Sequence, residues 1–193
     1  MCGGLAGFLG CSHGLGLVLV KPYRLAVVTQ TPGQGVGIGL GQTTPDGRFT
    51  LLPVCCHGHP LALALLDLDD FHQTNTLHGH AGGDAVLRHL VTVCQLHLRS
   101  SDAIARLGGD EFVLLLPETP AADSMSTLLR LQRSLAQRPL PLDEQRVPVH
   151  FSAGLAQWQP GETAEALLRR TDAALYAAKR VGKNRVLAAE PPH

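Results

Sequence analysis

The chain lacks an excess of charge of either sign. Its 193 residues carry 16 Lys+Arg and 16 Asp+Glu, a formal net charge of +0 with histidine neutral, so there is no global basic field to draw it onto nucleic acid or anionic lipid. No nucleic-acid partner is expected, and any phosphate chemistry must be local. The chain also lacks a C-x-x-C pair. Cys2, Cys11, Cys55, Cys56 and Cys94 make an odd count, which argues against a disulfide framework and a structural zinc site and for a reducing cytoplasm. A clear membrane segment is missing too. The stretch GGLAGFLGCSHGLGLVLV (3–20) is glycine-rich, contains His13 and has no basic leader, so membrane association is not expected.

What is present is 45% hydrophobic content, enough for one substantial core. It is distributed unevenly. Residues 1–58 are an atypical glycine- and proline-rich segment, and TQTPGQGVGIGLGQTTPDG within it reads as loop or disorder. From about residue 59 to 188 the texture is that of a folded domain, followed by a tail at 189–193.

HPLALALLDLDDF is an apolar run of strand length ending in acids. GGDAVLRHLVTVCQLHLRS spaces Ala85, Leu87, Leu90, Val91, Cys94 and Leu98 as a helix does, predicting one over about 80–99. AIARLGGDEFVLLLP reads as strand, glycine turn, strand. A helix over about 120–137, a strand in VPVHFSAGLAQ, a helix in ETAEALLRRTDAALYAAKRVG closed by Gly182 and a short strand in NRVLAA complete a β-α-β-β-α-β-α-β order. That order suits an α+β fold, ferredoxin-like or polymerase-palm, in which a mixed, mainly antiparallel sheet is flanked by helices.

In such a sheet the first strand and the hairpin can lie side by side. Strand alternation then puts Asp67 and Asp69 on one face and Asp70 on the other, so that Asp67 and Asp110 converge. Converging acids raise one another's pKa unless a cation intervenes. Hard oxygen ligands at strand ends suit Mg²⁺, which takes one or two carboxylates plus water and substrate phosphates. The pattern points to metal-assisted phosphoryl transfer; the plainer alternative is that the acids only solvate the strand ends.

The segments LLDLDDFHQTNTLHGHAGGDAVL and ARLGGDEFVLLLPE, with FSAGLA and TDAALYAAKRVGKNRV further on, resemble the GGDEF family, the diguanylate cyclases, from about Leu61 to Leu187. The resemblance implies a palm-like domain that condenses two GTP molecules into cyclic di-GMP. One GTP sits on each protomer of a homodimer, and a 3′-hydroxyl attacks an α-phosphate. It implies that Asp67, Asp110 and the Leu68 carbonyl hold Mg²⁺, with Mn²⁺ as the substitute, and that Glu111 acts with Asp110 in catalysis. Gly108 and Gly109 let the triphosphate approach the hairpin amides. On the same resemblance Asn75 and Asp84 would read guanine, with His80 in the same element; an aspartate accepts from N1–H and the exocyclic amine, which adenine cannot offer. Lys179 and Lys183 match family positions that contact the triphosphate, although lysines also sit favourably at any helix C-terminus. Arg99 and Asp102, in an R-x-x-D five residues before the GGDEF motif, match the inhibitory site for cyclic di-GMP, with Arg130 in support.

The chain departs from the family in places. His72 stands where a lysine is usual, Thr76 follows Asn75 where an aspartate is usual, and His78 replaces an aromatic. The family's opening D-x-L-T-G-L-x-N-R segment is not found in residues 1–58, as a shifted frame or misassigned start would produce. Three readings therefore stand at this level: an active cyclase, a catalytically weak or silent module acting as a receptor for cyclic di-GMP or GTP, and a product whose N-terminal third is not native.

Overall fold

The computed structural model describes residues 25–31, 35–43, 49–53, 60–142 and 144–192. The stretch 3–20 and the cysteines other than Cys94 lie outside the described residues. Three strands, β1 (Leu25–Thr31), β2 (Gly35–Thr43) and β3 (Phe49–Pro53), form an antiparallel sheet in the order β1-β2-β3. This corrects the expectation of loop or disorder there. Glycine density argues against a strand, but in GVGIGLG glycine alternates with a β-branched or leucine residue, which is the strand period.

The domain core is a five-stranded sheet of order β10-β9-β4-β6-β5. Its strands are β4 (Leu61–Leu68), β5 (Ala103–Gly108), β6 (Glu111–Pro117), β9 (Phe151–Gln157) and β10 (Val186–Ala188). β4 pairs antiparallel with β6 and β9, β5 with β6 antiparallel, and only β9 and β10 run parallel. The sheet is thus mixed and mainly antiparallel, as the element order requires. A small hairpin of β7 (Leu140–Leu142) and β8 (Gln145–Val147) goes beyond the expected elements. Its three-residue strands are too short to leave a periodic signal.

Every residue of β4 is buried, which explains its continuous apolar run: both faces are covered. On one face, α1 (Phe71–His97) and α2 (Ala121–Gln137) pack Leu90, Val93, Cys94, Leu128 and Leu131 onto Ala62, Ala64, Leu66, Phe112 and Leu114. On the other, α3 (Ala164–Arg180) packs Leu167 and Leu175 onto Leu63, Leu65, Val113 and Leu115. Each such leucine contributes about 1.5–3 kcal/mol by burial. A Cβ on Gly154 of β9 would collide with the Thr171 carbonyl oxygen and the Leu175 backbone nitrogen. The absence of a side chain there lets α3 lie directly on the strand.

Helix α1 begins at Phe71, earlier than the expected start near residue 80, and is broken at Gly79 (φ 68°, ψ 179°). The polar HQTNT segment carries no helical apolar period, so the first part was not visible in the pattern. Buried Gly82 and Gly83 receive the first part: Cβ atoms there would collide with the His78 side chain and with the side chains of Asn75 and Phe71 respectively.

Candidate active site

The site lies at the end of the two central strands. Asp67 on β4 is the register partner of Glu111 on β6 and of Ser152 on β9. By strand alternation it shares the α3 face with Leu63 and Leu65, and there its Oδ2 meets Lys179 Nζ at 2.6 Å. Asp67 is 7% exposed. Burial, with Asp110 and Glu111 adding like charge, raises its carboxyl above the ordinary value even with Lys179 against it. The charge on this carboxylate is therefore held at a cost, and a cation relieves it.

The alternation predicted for the acids ends sooner than expected, because the strand ends at Leu68. Asp69 and Asp70 sit in the following turn. Asp69 accepts from Ser152 Oγ at 2.7 Å and from the Asn184 backbone N–H at 2.9 Å. Asp70 adopts φ 58° and accepts from Lys183 Nζ at 2.6 Å, which raises the lysine's pKa through that hydrogen bond. Lys179 is in the last turn of α3, whereas Lys183 lies past the helix end with φ 56°. Asp69, Asp70 and Ser152 thus join the site without having been singled out. The doubled acid after the strand was the available signal for the first two.

The glycine hairpin closes the other side. Gly108 pairs with Glu111 across the turn after a bulge at Arg106/Gly108, and Gly109 takes φ 53°, which glycine adopts without strain. Arg106 Nε donates to the Gly109 carbonyl at 2.7 Å, and the Leu68 N–H donates to the Asp110 carbonyl at 3.2 Å. The turn is therefore fastened to β4 beside Asp67. A Cβ at Gly108 or Gly109 would meet nothing within 4 Å, so open space faces both residues. Asp110 is half-buried and Glu111 exposed.

The remaining candidates fall in two groups. The break in α1 lays the Asn75 side chain against Gly83, the residue before exposed Asp84. His72 and His80 are exposed on the same helix. Away from the strand ends, the Arg99 N–H donates to Asp102 Oδ2 at 2.7 Å and the Asp102 N–H donates to the Arg99 carbonyl at 3.2 Å. This compact turn follows α1. Arg130 of α2 donates to the His97 carbonyl at 3.3 Å, so it reaches the same helix end.

Among the described residues no group of three or more His, Cys, Asp or Glu side chains is spaced to cage a metal, and no helix is long and apolar enough to cross a membrane. A closed cage is not what Mg²⁺ needs, since it keeps waters and shares substrate phosphates. The hard oxygen set around the buried Asp67 carboxylate fits that ion.

Fold and site define an α+β, palm-like domain that gathers acids and lysines where its central strands end. A family model for the diguanylate cyclase GGDEF domain matches residues 50–185, and the chain belongs to that family. It is 40% identical over 129 residues to the diguanylate cyclase DgcP of Pseudomonas aeruginosa, covering 67% of this chain and 19% of that protein. Diguanylate cyclase A of Treponema denticola is 33% identical over 127 residues, covering 65% of this chain and 34% of that one. Among solved structures, the GGDEF domain of DgcB from Caulobacter crescentus in complex with c-di-GMP superposes with a TM-score of 0.65 at 36% identity, covering 69% of this chain and 80% of that one. The chain spans about a fifth to a third of the length of these curated relatives.

Proposed function

We propose that this chain is a diguanylate cyclase domain that condenses two GTP molecules into cyclic di-GMP with release of two pyrophosphates. The observation that carries the reading is the meeting of Asp67, Asp110 and Glu111 with Lys179 at one end of the central strands, behind an intact GGDEF hairpin.

Asp67, Asp110 and the Leu68 carbonyl would hold Mg²⁺, or Mn²⁺ in its place. When bound, the ion neutralises triphosphate charge and favours ionisation of the attacking 3′-hydroxyl. Lys179 and Lys183 exchange their carboxylate partners for phosphate oxygens. Open space before Gly108 and Gly109 admits the triphosphate to the hairpin amides, and His72 stands at the position where the family carries a lysine toward phosphate. Asn75 and Asp84, with His80 nearby, bind the guanine. Glu111, exposed beside Asp67, accepts the 3′-hydroxyl proton. The new 3′-O–P bond forms in line with the departing pyrophosphate oxygen, so positioning supplies much of the rate.

Each protomer holds one GTP, so two must face each other, and a homodimer is the working unit. Arg99, Asp102 and Arg130 form a product site in which cyclic di-GMP inhibits. A cytoplasmic location suits a GTP-consuming enzyme with buried, reduced Cys94.

The test is product analysis after incubating purified protein with GTP and Mg²⁺, beside Asp110→Ala and a binding assay for cyclic di-GMP. Product from the intact protein alone supports the reading. No product from a folded protein sinks it, and product binding without turnover would point to a receptor.

A further inference from the structure

The guanine subsite proposed above has a second side. A cavity of about 430 Å³ opens between α1 and the β5–β6 hairpin, lined by Asp84, Leu87, Arg88, Val91, Arg106 and Phe112 among others. Its volume falls in the range of roughly 300–1,000 Å³ usual for small-molecule pockets. The composition is what a purine needs: apolar side chains for its faces, and charged groups for its edges. One of these is an acid, Asp84. The other two are cations.

We propose that Arg106 is a specificity-determining residue of this pocket, donating to O6 and N7 of guanine while Asp84 accepts from its N1–H and exocyclic amine. This rests on the reading that the chain binds GTP. The two edges of guanine are chemically opposite, one presenting donors and the other two acceptors, and arginine matches the acceptor edge bidentately. Asp84 serves only the donor edge, and Asn75 and His80 do not line this cavity, so within it O6 and N7 fall to an arginine. Adenine places an amine where guanine has O6, so an arginine there repels it as Asp84 does from the other edge.

Arg106 rather than Arg88 is assigned because it is held in place. Its Nε donates to the Gly109 carbonyl at 2.7 Å, which fixes the guanidinium and commits one of its five N–H donors. It is half-buried at a strand position opposite Phe112, whose side chain is 1% exposed. Arg88 is exposed on the helix surface, where ordering its long chain costs more on binding. No ion pair joins Asp84 to either arginine, so neither edge group is neutralised by the other. The same hydrogen bond that fixes the base reader also fastens the turn facing the phosphates, linking base recognition to the reacting end.

The experiment is equilibrium binding of 3′-deoxy-GTP and its 7-deaza analogue in Mg²⁺, the missing 3′-hydroxyl preventing turnover. The intact protein should bind the 7-deaza nucleotide about tenfold more weakly, since one charge-assisted hydrogen bond is lost. Arg106→Ala should weaken 3′-deoxy-GTP by about tenfold to a hundredfold and bring the ratio between the two nucleotides near one. Arg106→Lys should restore part of the preference. Because the readout is a ratio within one variant, a loosened hairpin does not move it. A ratio unchanged by Arg106→Ala, or abolished instead by Arg88→Ala, overturns the assignment while leaving GTP binding intact. An intact, folded protein that binds neither nucleotide overturns the cyclase reading itself.

Discussion

Gly154→Ala tests whether the contact between α3 and β9 sets the active site. The added Cβ would fall on the Thr171 carbonyl oxygen and the Leu175 backbone nitrogen, both main-chain atoms that no side-chain rotation can remove. Ordinary carbon contacts need about 3.5–4.0 Å, so the helix must back away from the strand. Overpacking of this kind costs about 1–3 kcal/mol, and backbone collision argues for the upper half of that range. For a domain of this size the melting midpoint should fall by about 5–10 °C. The functional effect should exceed the loss of stability, because α3 carries Lys179 to Asp67 at 2.6 Å. Thermal unfolding gives the first number. Turnover of GTP, measured well below the midpoint where the variant is folded, gives the second. A midpoint within about 1 °C of the parent would refute the packing argument. Full activity at a lowered midpoint would refute the link from packing to site.

Gly79 has φ 68° and ψ 179°, a region essentially closed to other residues and costing about 1–3 kcal/mol when they are forced into it. Gly79→Ala should lower the melting midpoint and weaken GTP binding, since the break it serves lays Asn75 against Gly83; thermal unfolding reads the first and isothermal titration the second. Glu162 is held by Arg170 at 2.7 and 2.8 Å and by the Gln159 N–H at 3.2 Å. Burial opposes its ionisation, yet Arg170 and that N–H outweigh it and keep the carboxyl below its ordinary value. The folded pKa is the depressed one, so the stabilisation is full above the unfolded value of 4.5 and is lost as pH falls through the folded one. Glu162→Gln should cost about 2 kcal/mol near neutrality, and melts of parent and variant should converge in acid. Arg99→Ala and Asp102→Ala should each relieve inhibition by added cyclic di-GMP while leaving the melting midpoint within about 2 °C of the parent, as dose-response curves will read; inhibition unchanged in both would remove the product site from this turn.

The order of elements and the acidic hairpin were legible in the sequence because each rests on local patterns. Apolar runs of strand length, helical spacing in α2 and α3, and paired glycines before Asp110 report their conformation within a few residues. The resemblance of four spaced segments then carried the family. Less was readable where local preference and global packing disagree. Glycines in β2 suggested loop, but backbone pairing made them strand. The polar start of α1 carried no period, because only its folding back onto Gly82 and Gly83 makes it part of the domain.

Tertiary structure alone decided how the charges are shared. The sequence shows acids at 67, 69, 70, 110 and 111 and lysines at 179 and 183, but not which meets which. Separations of more than a hundred residues between Asp67 and Lys179, or Asp70 and Lys183, are closed by sheet register and by the seating of α3 on Gly154. The same holds for Arg106, which reads as an ordinary strand residue until the hairpin, α1 and Asp84 enclose one cavity. Local chemistry determines what each residue can do; only long-range packing, a property of the whole chain, determines what it faces.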